Sequence, residues 1–100
     1  MSQSTTELLE ALAADIGKEV YIDIAKWHLY LADAHLHTTI AEQLYPLLTS
    51  TLSEERVQQV LQQISVKVGG GKRDLPLLDL IPMQGFMTLM EILEKYQQRL

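Results

Sequence analysis

Gly69, Gly70, Gly71, Lys72 and Arg73 stand in a row, followed by Asp74 and by an apolar run bounded by Pro76 and Pro82. Successive backbone N–H groups in a glycine turn can wrap an anion, and Lys72 and Arg73 add positive charge beside them. Adjacent glycines are costly to order, so a folded chain uses them where the backbone must reach positive φ or come close to something. The row is not a nucleotide-binding P-loop, because the spacing between glycines is missing and Arg73 stands where that motif needs Ser or Thr. It also precedes an extended apolar segment rather than a helix, which removes the dipole that helps hold a phosphate. The plainest reading is a turn with a solvated basic tip. The functional readings are docking of a protein partner and binding of an anion or phosphorylated metabolite at Gly69 to Arg73.

A second group of reactive side chains lies between residues 21 and 37. On a continuous helix Tyr21, His28 and His35 share one stripe. Asp33 and His37 then sit four residues apart, a spacing at which carboxylate and imidazole can chelate a metal. The strong zinc pattern His-Glu-x-x-His is absent and the chain has no cysteine, so no metal site is assigned. Asp23 or Asp79 with His28 offers an acid–base pair, but such chemistry needs hydrogen-bond reach inside a partly dry pocket. No nucleophile–base pair or oxyanion motif accompanies them, so neither catalytic residues nor a cofactor are assigned. Trp27, the one tryptophan, belongs to an apolar stripe and reads as core. Tyr21 and Tyr30 fall outside that stripe and read as interface residues. Met83, Met87 and Met90 offer core filling or an adaptable contact.

The elements that must position these groups are mostly helical. Ser4 and Glu7 fit a capping box before Leu8, Leu9, Leu12, Ala13 and Ile16, and Gly17 reads as the left-handed residue that closes this helix. Residues 18–32 carry two periods at once. Val20, Ile22 and Ile24 alternate like a strand, while Val20, Ile24, Trp27 and Leu31 repeat like a helix. The helical register is longer and is the one expected. A helix over 33–50 follows, with Asp33 as a possible cap and a kink or end at Pro46. Ser53 caps the next helix, Leu52 and Val57 staple it, and Val57, Val60, Leu61 and Ile64 line its inner face. Residues 65–68 alternate as a short strand, with 74–80 pairing back or lying extended. Pro82 opens the last helix as its first residue, with Phe86, Leu89, Met90, Leu93, Tyr96 and Leu100 inward.

Two blocks, Val20 to Leu31 running into Ala34-His35-Leu36-His37, and Gly69 to Pro82, together resemble a family of short, uncharacterised proteins encoded in cyanobacterial genomes. The resemblance extends over nearly the whole chain and implies the cytoplasm of an oxygenic phototroph. It implies no activity, ligand or catalytic residue.

Composition sets the remaining bounds. The chain has 100 residues, 47% of them hydrophobic and 21% charged, with 8 basic and 13 acidic side chains for a net charge of −5. That balance predicts a folded domain and disfavours general nucleic-acid binding, which needs an excess of Lys and Arg. The absence of cysteine fits a reducing compartment. Residues 1–7 lack a basic region followed by an apolar block, so no secretory signal is expected. Charged or polar groups interrupt every apolar run before the roughly 18 residues a membrane-spanning helix needs, which leaves peripheral association open. The expectation is therefore a cytoplasmic, mostly α, compact single domain over 1–100. It has four to five helices and a short β-hairpin or extended loop near 65–80. Its expected function is non-enzymatic: an interaction, assembly or regulatory protein that presents loop 69–82 to a protein partner or a second copy. The binding residues are then Gly69, Gly70, Gly71, Lys72, Arg73, Asp74, Tyr21 and Tyr30, and anion binding at Gly69 to Arg73 is the alternative.

Overall fold

A computed structural model of the chain describes residues 5–24, 27–68 and 71–99, without the side chains of Ile24, Trp27 and Val68. Its elements are α1 (Thr5–Glu19), β1 (Tyr21–Ile24), β2 (Trp27–Tyr30), α2 (His37–Leu48), α3 (Glu54–Gln63), β3 (Ser65–Val68), β4 (Arg73–Pro76), α4 (Leu77–Leu80) and α5 (Met83–Gln97). The strands make two separate antiparallel hairpins, β1–β2 and β3–β4. The fold is mostly α.

The helices follow their apolar spacing. α1 turns Leu8, Leu12, Ala13 and Ile16 inward, and α5 does the same with Leu89, Met90, Leu93 and Tyr96. α1 packs against both α2 and α5, and α2 also meets α3. Leu12, Ile16, Ile40, Leu44, Leu61, Leu89 and Leu93 are sealed completely from water where these helices meet. Burying one such side chain contributes about 1.5–3 kcal/mol. Ser53 caps α3 as its position predicts, its hydroxyl accepting from the Arg56 N–H at 3.2 Å. Val57 and Leu61 are buried, with Val60 and Ile64 packed partly against the core. Pro46 lies inside α2, which ends at Leu48, and the Pro46 carbonyl accepts from the hydroxyls of Thr49 and Ser50, each at 3.1 Å. β3 pairs with β4 from Ser65↔Pro76 to Val68↔Arg73, so the hairpin expected near 65–80 is present. It closes at Pro76, and residues 77–80, expected to pair back or lie extended, form the short helix α4 instead. Ser4, Gly69, Gly70 and Leu100, and the Trp27 side chain expected in the core, lie outside the described residues.

The helix expected over 18–32 is not formed. The chain makes the β1–β2 hairpin instead, in the register Tyr21↔Tyr30, Ile22↔Leu29, Asp23↔His28, Ile24↔Trp27. Alternation sends Ile22, fully buried, and Leu29 to the core side, and Tyr21, Asp23, His28 and Tyr30 to the other. Val20 and Leu31, which a helix would have placed on one stripe, are buried here too. The Leu31 N–H donates to the Val20 carbonyl at 2.9 Å and ties the two ends together. The hairpin thus buries the same ends as the expected helical stripe, and the β-branched residues between them favour the pleated surface. Tertiary packing adds its weight: α5 brings Gly85 so close to Tyr21 that a Cβ would stand 3.1 Å from its carbonyl oxygen.

Three boundary expectations are corrected as well. Gly17 does not end α1 but lies buried within it, where a Cβ would stand 3.0 Å from the Cβ atoms of both Ala32 and His37. It is needed for close approach, and its carbonyl accepts from the Ala32 N–H at 3.0 Å. Asp33 does not cap α2. That helix starts at His37 behind Leu36, without a side-chain cap, and His35 makes the preceding turn at φ 58°, a region histidine enters more readily than bulky residues do. Pro82 precedes α5 as its cap rather than serving as its first residue, which still leaves its missing N–H harmless.

Candidate functional site

The β3–β4 hairpin carries the basic tip. Gly71 holds φ at +86°, the left-handed region that favours glycine. The turn it makes leaves Lys72, Arg73 and Asp74 exposed, and Lys67 on β3 is exposed as well. Lys67 stands opposite Asp74 in the register and Val68 opposite Arg73, so the tip directs its charges outward from a fixed strand pair. Three of the chain's 8 basic residues fall within 65–76 with Asp74 as the one carboxylate. A basic tip therefore projects from an acidic protein.

The other expected interface residues meet on the outer side of β1–β2. Tyr21 and Tyr30 are cross-strand partners, with ring centroids 6.2 Å apart in an edge-on arrangement. His28 lies against Tyr21 at 3.8 Å between centroids and edge-on to Tyr30 at 6.0 Å. Tyr30 is exposed, so part of this aromatic cluster faces solvent. Asp23 also comes to His28, as the acid–base reading requires, and Nδ1 of the imidazole donates to its carboxylate at 3.0 Å. Their side chains are 52% and 53% exposed. Water screens such a pair, and a general acid or base needs a drier setting. Asp79 takes no part in it; it lies exposed on α4. The Asp23–His28 pair thus lies open to water beside the Tyr21 and Tyr30 rings.

The histidines do not gather into a ligand set. Among the described residues no group of three or more His, Asp or Glu side chains is placed to hold a metal ion. His35 serves the turn before α2, and His37 opens that helix against Gly17.

Met83 and Met87 are exposed at 79% and 58%, one helical turn apart on α5, whereas Met90 is buried, as its place in the inward stripe predicts. One feature escapes sequence reading. Tyr96, expected only as core, also donates its hydroxyl to Asp15 across 81 residues of chain at 2.5 Å. Burial first, then that hydrogen bond and the nearby carboxylate charge, push its phenol from 10.0 up to about 12. No local pattern announces a pair so distant in sequence.

Comparison with known proteins adds a setting. Residues 9–96 match the family described as "Protein of unknown function (DUF3181)". The chain is 47% identical over 97 residues to the thylakoid-associated protein slr0729 of Synechocystis sp., a match covering 96% of each. No solved structure matches it. Both matches agree with the resemblance to an uncharacterised cyanobacterial family. No helix among the described residues is long and apolar enough to cross a membrane.

Proposed function

The chain belongs to the DUF3181 family of proteins of unknown function, and from that premise we propose that it is a non-enzymatic docking protein. It acts peripherally at the cytoplasmic side of the thylakoid, where the β3–β4 tip engages an acidic face of a membrane-bound protein. The observation that carries this reading is the tip itself: Lys67, Lys72 and Arg73 exposed together around left-handed Gly71 in a chain of net charge −5. Such charge segregation steers one end of a molecule toward an acidic partner while the rest is repelled. The name of the Synechocystis relative, a thylakoid-associated protein, supports that location, and peripheral attachment is consistent with no helix among the described residues being long and apolar enough to cross a membrane. The Tyr21–His28–Tyr30 cluster offers a second contact area rich in the residue types that dominate binding energy.

The test is retention of the purified chain on isolated thylakoid membranes. Lys72→Ala with Arg73→Ala is expected to abolish retention while shifting stability by less than about 0.5 kcal/mol, as exposed substitutions do. Protease-stripped membranes should lose retention as well, since the partner is a protein. Undiminished retention of the double variant would refute docking through the tip. The second reading, an anion held at Gly69 to Arg73, is favoured by left-handed Gly71 beside two cations. It requires thermal stabilisation by inorganic phosphate that fades with added salt.

A further inference from the structure

A groove of about 420 Å³ opens between α1 and α2 and is lined by neither hairpin. Its α1 wall is small and apolar: Leu9 is half-buried, Ala13 buried, and Ala14 exposed. Alanines one and two turns along from Thr6 and Glu10 leave the hollow; larger side chains there would fill it. Glu10 from α1 and Glu42 from α2 also line it, both exposed. Neither carboxylate has an ion-pair partner among the described residues, where the pairs are Lys18 with Asp15 and His28 with Asp23. Among the described residues no lysine or arginine lines the hollow. The imidazole of His37 lines it too, with its Nδ1 shut off from solvent and without a hydrogen-bond partner among the described residues.

An apolar floor beside carboxylates from two helices matches one kind of occupant, a cationic head on an aliphatic stem. We propose that this groove receives a lysine or arginine side chain from a basic segment of a partner protein. The methylenes lie on Leu9 and Ala13 and the head pairs with Glu10 or Glu42. The site is independent of the basic hairpin tip, which would be repelled by the same partner segment.

Amide NMR of the isotopically labelled full chain tests it, with a blocked leucine–lysine peptide of about twelve residues as probe, long enough for a marginal helix. The peptide is expected to shift Leu9 and Ala13 on α1 and Thr38, which lines the groove from α2. Glu10→Gln with Glu42→Gln should weaken it about three- to tenfold, the scale of two partly screened ion pairs. Ala14→Leu, which fills the hollow without altering charge, should weaken it too. Glu91→Gln with Glu94→Gln removes the same net charge from the outer face of α5 and should leave affinity unchanged. Thermal midpoints of all variants control for folding. Equal losses in the two glutamate pairs, shifts away from the groove, or spermidine binding as tightly as the peptide would each overturn the proposal.

Discussion

Gly71 carries the strongest single-residue expectation. Its φ is +86° and nothing lies within 4 Å of where a Cβ would project, so a side chain there meets backbone strain and no clash. Gly71→Ala is expected to lower stability by about 1 kcal/mol. An idle linker would respond in the opposite direction, because alanine reduces the entropy of the unfolded chain. Urea denaturation reads the sign directly. Ser53 is the second case. Its hydroxyl satisfies the Arg56 N–H at the start of α3, and Ser53→Ala should cost about 1 kcal/mol, measured as a lower denaturation midpoint. Both roles were legible in the sequence because they are local: a positive-φ turn expected among Gly69, Gly70 and Gly71 without a choice between them, and an orphan donor one helical turn from Ser53.

At the scale of elements, the crossing of α1 with the 31–37 turn depends on Gly17. Alanine is preferred to glycine in a helix interior by roughly 0.5–1 kcal/mol, so α1 alone would gain from Gly17→Ala. In the protein the new methyl would stand 3.0 Å from the Cβ atoms of Ala32 and His37. Those atoms are rooted in the backbone and cannot swing aside. Overpacking of this kind typically costs about 1–3 kcal/mol, so a net loss is expected, seen as a lower thermal midpoint. A higher midpoint would mean that the turn yields freely. The β1–β2 hairpin belongs to the same scale. Its strand alternation was visible beside a helical period, and the structure adopts the strand pairing, with Tyr21 opposite Tyr30 and Gly85 of α5 close to the Tyr21 carbonyl.

For the whole molecule, the bond from Tyr96 to Asp15 joins α5 to α1 and sets an alkaline limit. The folded phenol titrates near 12 against 10.0 when free, because burial and then Asp15 oppose its ionisation. A group whose value rises on folding contributes fully below its unfolded value and loses that contribution as pH climbs through the folded one. Stability should therefore hold up to about pH 10 and fall between about pH 10 and 12, by on the order of 2–3 kcal/mol. Tyr96→Phe should show a shallower decline over that window in urea midpoints taken at stepped pH. Equal slopes for both chains would count against Tyr96 as the cause.

Much of this protein was determined by the sequence alone: the inward faces of α1, α3 and α5, the Ser53 cap, the β3–β4 hairpin and its basic tip. Each of these depends on side-chain period or on groups within a few residues of one another. The tertiary structure alone decided the rest. Residues 21–24 and 27–30 became paired strands, Gly17 a crossing point instead of a stop, and Tyr96 the partner of Asp15. These outcomes turn on which surfaces meet across long stretches of chain. Two local conformations of similar free energy are then separated by packing that neither stretch encodes by itself.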